Sequence, residues 1–186
     1  IQFGVKVINM KGWRLHIEGR VQGVGFRPYV AKFSKQHDLK GWVKNTNKGV
    51  TVFWAVDKAK LQLLIPELLD QLPPAANIDE IHFHAAEESE ELSFEIKSST
   101  VDENVAMNLT PDLGICPSCE KEMFDPHSRY FHYPFISCTD CGPRYSVQTK
   151  TPYDRERTTM DEFKLCPECQ REYEDPGSRR FHAQSI

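Results

Sequence analysis

Three Cys-x-x-Cys pairs, Cys116/Cys119, Cys138/Cys141 and Cys166/Cys169, account for all six cysteines of this chain, and none lies within the first 115 residues. A pair with two intervening residues can chelate one ion through both sulfurs, and two such pairs supply a tetrahedral four-thiolate site. The first two pairs follow the pattern C-x2-C-x18-C-x2-C, which reads as a four-cysteine Zn2+ site. A redox Cys-x-x-Cys would stand alone at a helix start after a strand, and three clustered pairs argue against it. The segment is also repeated: Cys116-Pro117-x-Cys119-x-x-Glu122-x-x-Asp125-Pro126-x-Ser128-Arg129-x-Phe131-His132 recurs fifty positions later, from Cys166 to His182. The second copy reaches Ile186 before a further cysteine pair, so Cys166 and Cys169 are expected to form half a site. His182 is one group that could help complete it. In the first copy four cysteines already satisfy the metal, so by symmetry neither His132 nor His182 is expected to be a native ligand, and His182 standing in for a missing cysteine is the lesser alternative.

The rest of the chain has a different character. The cysteine-rich half is dense in Pro, Asp, Arg and aromatic residues with little periodicity, whereas residues 11–97 alternate strand-like and helix-like patterns. A change of domain is expected in the polar stretch 98–104, giving one domain over 11–98 and a zinc-finger-like one over 108–186, with a complete module at 116–141 and a second from 166. Strands are expected at 13–18, 41–45, 50–56, 78–84 and 92–96, and residues 46–49 suit a hairpin turn. Helices are expected from Arg27 or Pro28 to His37 and over 58–72, where Leu61, Leu64, Ile65, Leu68, Leu69 and Leu72 keep helical spacing but Pro66 argues for a break. The order is β-α-β-β-α-β with an added terminal strand. That predicts an α+β, ferredoxin-like sandwich with both helices on one face of an antiparallel sheet.

Between the first strand and helix lies Gly19-Arg20-Val21-Gln22-Gly23-Val24-Gly25-Phe26-Arg27. Glycines at positive φ turn successive amides inward, a helix N-terminus adds partial positive charge, and Arg27 offers a planar two-pronged donor. Val21, Gln22, Gly23, Val24, Gly25, Phe26 and Arg27 are therefore the candidate phosphate-binding residues. A glycine-rich turn with a solvated arginine is the plainer alternative, and the strand-loop-helix context weighs against it. This string, with Gly41-Trp42-Val43-Lys44-Asn45-Thr46-Asn47-Lys48-Gly49 at matching spacing, resembles the two signatures of the acylphosphatase family over residues 11–97. The resemblance implies an acylphosphatase sandwich in which Arg27 holds the phosphoryl group and Asn45 positions the attacking water. An acyl phosphate has a carboxylate-like leaving group, so orienting water and stabilising phosphoryl oxygens are the main tasks. His16, His37, His82 and His84 read as surface or packing residues rather than acid-base groups.

An acylphosphatase-like domain followed by repeated cysteine modules resembles the HypF family, the carbamoyltransferases of nickel–iron hydrogenase maturation. The resemblance implies hydrolysis of carbamoyl phosphate at the Arg27 and Asn45 site, zinc at the cysteines, and a HypE-type protein that receives the carbamoyl group. It assigns ATP-dependent adenylation to domains outside these 186 residues. A non-catalytic phosphate-binding or docking domain joined to a zinc-dependent interaction module is the alternative.

Composition narrows the remaining classes. A net charge of -4 and a pI near 6.0, with Asp and Glu interleaved among the arginines of the cysteine half, disfavour nucleic acid as a partner. No apolar run approaches the ~20 residues of a membrane helix, and no secretory signal pattern is seen at Ile1–Lys6. A cytoplasmic, metal-binding protein is the expectation, with membrane contact excluded.

Overall fold

A computed structural model describes residues 9–89, 93–100 and 112–186. Residue 92 and the stretch 101–111, on which parts of the expected strand, linker and domain boundary fall, lie outside the described residues.

The first half forms a five-stranded sheet in the order β4-β1-β3-β2-β5, built from β1 (Asn9–Arg20), β2 (Gly41–Asn45), β3 (Gly49–Trp54), β4 (Asn77–Ser89) and β5 (Phe94–Ile96). Helices α1 (Phe26–Gln36) and α2 (Lys58–Asp70) cross it. Alternation along β1 sends Leu15 and Ile17 inward, where they meet Val43, Val50, Val52 and Trp54 from the sheet, Phe26, Val30 and Phe33 from α1, and Leu61, Leu64 and Leu68 from α2. One apolar cluster contains both helices, so both lie on one face, as the periodicities predicted. Each fully buried aliphatic or aromatic side chain contributes roughly 1.5–3 kcal/mol.

Two features depart from expectation. Strand β5 pairs with β2 in parallel while every other pairing is antiparallel, so the sheet is mixed rather than antiparallel. Helix α2 runs through Pro66 unbroken, because Gln62, whose carbonyl loses its partner, and Pro66 itself are on the exposed face where water can substitute. The Asp57 carboxylate caps this helix by accepting from Lys60 N–H at 2.7 Å.

In the second half, α3 (Pro117–Phe124) and α4 (Pro167–Glu174) occupy equivalent places in the two copies of the repeat. Each opens on a cysteine whose sulfur accepts from the amide three residues on, Cys119 N–H to Cys116 and Cys169 N–H to Cys166, both at 3.5 Å. Proline follows at the first helical position, where a missing N–H costs nothing. Both copies also turn back identically. His132 N–H donates to Met123 O at 2.9 Å and His182 N–H to Tyr173 O at 3.0 Å, with the two histidines at φ 55° and 54°. Short 3-10 turns connect the copies.

Candidate functional site

The loop after β1 is shaped by where its apolar side chains go. Val21, Val24 and Phe26 are buried in the sheet core, so these three candidate residues can offer an anion only their backbone amides. Between them Gly23 and Gly25 take left-handed conformations, φ 69° and 73°, and α1 starts immediately afterwards at Phe26. The amides of its first turn lack intrahelical acceptors and sit at the positive end of the helix dipole. Gln22 staples the loop to the β2–β3 turn, its amide donating to Thr46 O at 2.6 Å and Gly49 O at 2.9 Å.

Arg27 lies in the first turn of α1 and Asn45 ends β2, buried. The structure brings both against consecutive residues of the cysteine half. Arg27 Nη2 donates to Asp154 Oδ1 at 2.7 Å, and Asn45 Nδ2 donates to Tyr153 O at 3.4 Å. Asn45 Oδ1 is buried with no hydrogen-bond partner, an acceptor placed where an ordered water would satisfy it.

The second half forms the outer wall of this loop. A Cβ added at Gly23 would stand 2.6 Å from Pro143 Cβ, and one at Gly25 2.8 Å from Thr139 Cβ. Tyr153 is the hub: its N–H donates to Gln22 Oε1 at 3.0 Å and its hydroxyl accepts from Arg144 N–H at 3.0 Å. Asp154 is shared with Arg157 Nη1 at 3.1 Å. Beside Arg27 a cavity of about 350 Å³ is lined by Ser98, Ser99, Asp154, His182 and Gln184 among others. Burial, followed by the Arg27 charge, lowers the His182 pKa to about 4, so the imidazole is neutral at pH 7. Its ring packs on Tyr173 at 5.1 Å. Tyr153, Asp154 and the stapling role of Gln22 escaped the sequence reading, since Tyr153 and Asp154 belong to no motif and are more than a hundred positions from the loop they meet.

The first two cysteine pairs converge. Ligand atoms of Cys116, Cys119, Cys138 and Cys141 all lie within 4.8 Å of one another, with Cys116 Sγ to Cys138 Sγ at 3.6 Å and Cys138 Sγ to Cys141 Sγ at 3.8 Å. A tetrahedron of sulfurs ~2.3 Å from a central ion has edges of about 3.8 Å, so the four fit a metal-binding centre. Hydrogen bonds from the Cys119 and Cys138 thiols hold Cys141 far below the usual thiol range, the charge distribution a cation would complete. Among the described residues this is the one group of three or more potential ligands so gathered, and Cys166 and Cys169 do not join it. His16, His82 and His84 lie on the β1–β4 strands, His82 and His84 exposed and His16 half-buried, with the His16 and His84 rings stacked at 5.3 Å.

Comparison with known proteins follows this division. The acylphosphatase family matches residues 13–96 and the HypF finger family matches 115–148 and 165–186. The carbamoyltransferase HypF of Synechocystis sp. is 42% identical over 155 residues, which cover 83% of this chain and 20% of that protein. A crystal structure of full-length HypF in the phosphate- and nucleotide-bound form superimposes with a TM-score of 0.84 at 39% identity, over 96% of this chain and 24% of that one. The T. kodakarensis HypF crystal structure gives 0.76 at 38% identity, over 95% of this chain and 22% of that one. The chain thus spans about a fifth of the length of the curated HypF relatives it matches. No helix among the described residues is long and apolar enough to cross a membrane.

Proposed function

The chain is a HypF homologue that joins an acylphosphatase domain to a HypF finger, and from this premise we propose that it hydrolyses carbamoyl phosphate to carbamate and phosphate. The observation that carries the reading is the buried, unpartnered Oδ1 of Asn45 beside the loop that bears Arg27. Asn45 Oδ1 accepts a hydrogen from the attacking water. The loop amides from Val21 to Phe26, the α1 N-terminus and Arg27 stabilise charge on the phosphoryl oxygens. The water oxygen bonds to phosphorus as the bond from phosphorus to the acyl oxygen breaks, and carbamate leaves without general-acid help. Zinc is the ion we assign to Cys116, Cys119, Cys138 and Cys141, with Cys166 and Cys169 as the start of a second site. The ion makes the finger fold into the wall that faces the loop. In a full-length relative, ATP use and transfer of the carbamoyl group to a HypE-type partner belong to the remaining four-fifths. We place the protein in the cytoplasm.

Phosphate release from carbamoyl phosphate and acetyl phosphate tests the assignment. Arg27→Ala is expected to lower turnover by ~10²-fold or more, and near-normal turnover in a folded variant overturns it. Asn45→Ala should reduce turnover more than phosphate binding. One observation favours the docking alternative: Arg27 is already ion-paired with Asp154, as an architectural joint would be. Absence of acyl phosphate hydrolysis by the parent protein would select that reading.

A further inference from the structure

The two copies of the repeat are not independent modules side by side; they exchange the same side chains. Arg179 of the second copy aims Nη1 at three sulfurs of the first copy's cluster, 3.4 Å from Cys138, 3.6 Å from Cys119 and 3.7 Å from Cys116. Fifty positions earlier, its counterpart Arg129 in the first copy aims Nη2 at both sulfurs of the second copy, 3.2 Å from Cys166 and 3.3 Å from Cys169. The carboxylates that orient them are exchanged too. Arg179 Nη2 donates to Glu122 of the first copy at 2.6 Å, and Arg129 Nη1 to its counterpart Glu172 of the second at 3.4 Å. The next residue repeats the crossing, with Tyr130 bonded to Glu172 and Arg180 to Glu122. Arg180 Nε also donates to Ser137 O at 3.1 Å, and Arg179 O accepts from Thr139 N–H at 3.0 Å, on either side of Cys138.

Four thiolates around a divalent ion carry a net charge of about -2. N–H donors to the sulfurs disperse that charge and fix ligand orientation, and their loss weakens metal binding. A guanidinium is suited to the task because it stays charged and reaches several acceptors from one plane. We propose that the repeats form a reciprocally braced metal unit, in which Arg179 of the second copy is the outer donor that holds metal on Cys116, Cys119, Cys138 and Cys141, and Arg129 makes the matching contact with Cys166 and Cys169. Metal retention in the first copy therefore depends on a side chain from the second. The inference rests on the metal reading of the four-cysteine cluster, and the parent protein tests that reading separately.

The protein is loaded with one equivalent of Co2+, and its thiolate-to-cobalt charge-transfer band is recorded. Zinc-loaded protein is then challenged with a chromogenic chelator. In Arg179→Gln the band should move to longer wavelength, since unbonded sulfur lone pairs lie higher, and zinc transfer should accelerate roughly 10–100-fold. Arg179→Lys, which keeps charge but loses the fork, should fall between. Arg171→Gln removes an exposed arginine of the same copy and should match the parent. A parent-like band and transfer rate in Arg179→Gln overturn the brace. If that variant holds no metal, Arg179→Lys decides: a displaced band with intermediate transfer upholds the proposal, and parent values overturn it. A parent protein with no charge-transfer band at all overturns the metal reading and the brace with it.

Discussion

Arg27 Nη2 and Asp154 Oδ1 stand 2.7 Å apart, although 127 residues and a change of domain separate them. Both side chains are nearly enclosed, 10% and 13% exposed, so this ion pair lies where solvent screening is weak. Asp154 is not committed to Arg27 alone, because its other oxygen holds Arg157 at 3.1 Å. The carboxylate is thus the shared member of a three-residue bridge between the loop and the finger.

That sharing makes the two truncations unequal. Asp154→Ala takes from Arg27 its carboxylate partner at 2.7 Å and leaves Arg157 only Glu156 at 3.5 Å, and should cost about 3 kcal/mol, in the range found when one partner of a buried pair is removed. Arg27→Ala leaves Asp154 paired with Arg157 and should cost less. Urea denaturation of both single variants and the double variant gives the coupling, expected at about 1 kcal/mol or more. A coupling near zero would show that the pair does not join the domains.

Gly25→Ala should destabilise by two separable routes. Its left-handed φ of 73° is unfavourable for any side chain, at roughly 1–2 kcal/mol, and its Cβ would press on Thr139 Cβ at 2.8 Å. Adding Thr139→Gly removes that contact together with the Thr139 hydroxyl bond to Arg179 O at 3.0 Å, so thermal melts of the double variant, read against Thr139→Gly alone, should show partial recovery of the Gly25→Ala loss. Full recovery would mean that backbone strain is unimportant there, and none would mean the wall does not press on the loop.

The sequence exposed what is local and periodic. The alternation of Leu15 and Ile17, the leucine stripe of α2 and the glycine loop ahead of α1 each announced an element, because one short window contains the whole signal. The four-cysteine cluster was legible from spacing alone. What stayed hidden is long-range: that β5 joins β2 in parallel, that Tyr153 and Asp154 close over Gln22, Asn45 and Arg27, and that Arg129 and Arg179 cross between copies. The repeat displayed those arginines at equivalent positions, but periodicity cannot say whether a side chain serves its own copy or the other. Pro66 misled because its effect depends on which face of α2 meets water.

Stability should fall on mild acidification through His182. Burial, then the Arg27 charge, lowers its pKa from 6.5 to about 4 in the folded protein, with Asp154 opposing. Between these values the unfolded chain binds a proton that the folded one refuses, so stability is fully present above about pH 6.5 and is lost as pH falls towards 4. A single proton limits the slope to ~1.4 kcal/mol per pH unit. His182→Gln should flatten the denaturation midpoint over that window. An unchanged pH profile would place the acid sensitivity elsewhere.

Metal removal should unfold one half of the chain and spare the other. The buried apolar cluster around the metal centre consists of Cys119, Tyr130, Ile136, Cys138 and Cys141, so three of its five members are proposed ligands and little remains without an ion. Structural zinc contributes on the order of 10 kcal/mol in comparable small modules. The sheet half instead has its own core, in which Leu15, Ile17, Phe26, Val52, Trp54 and Leu68 are fully or almost fully buried. All three tryptophans, Trp13, Trp42 and Trp54, lie in that half, which makes their emission a clean reporter of it. Chelation should therefore make the cysteines reactive to a thiol reagent and lower the helical signal of α3 and α4. Tryptophan emission should stay native, while amides from Val21 to Arg27 exchange faster as Pro143, Thr139 and Tyr153 withdraw from the loop. A red-shifted emission on chelation would show that the sheet cannot stand without its finger. Cysteines that remain protected would show that the finger folds without metal.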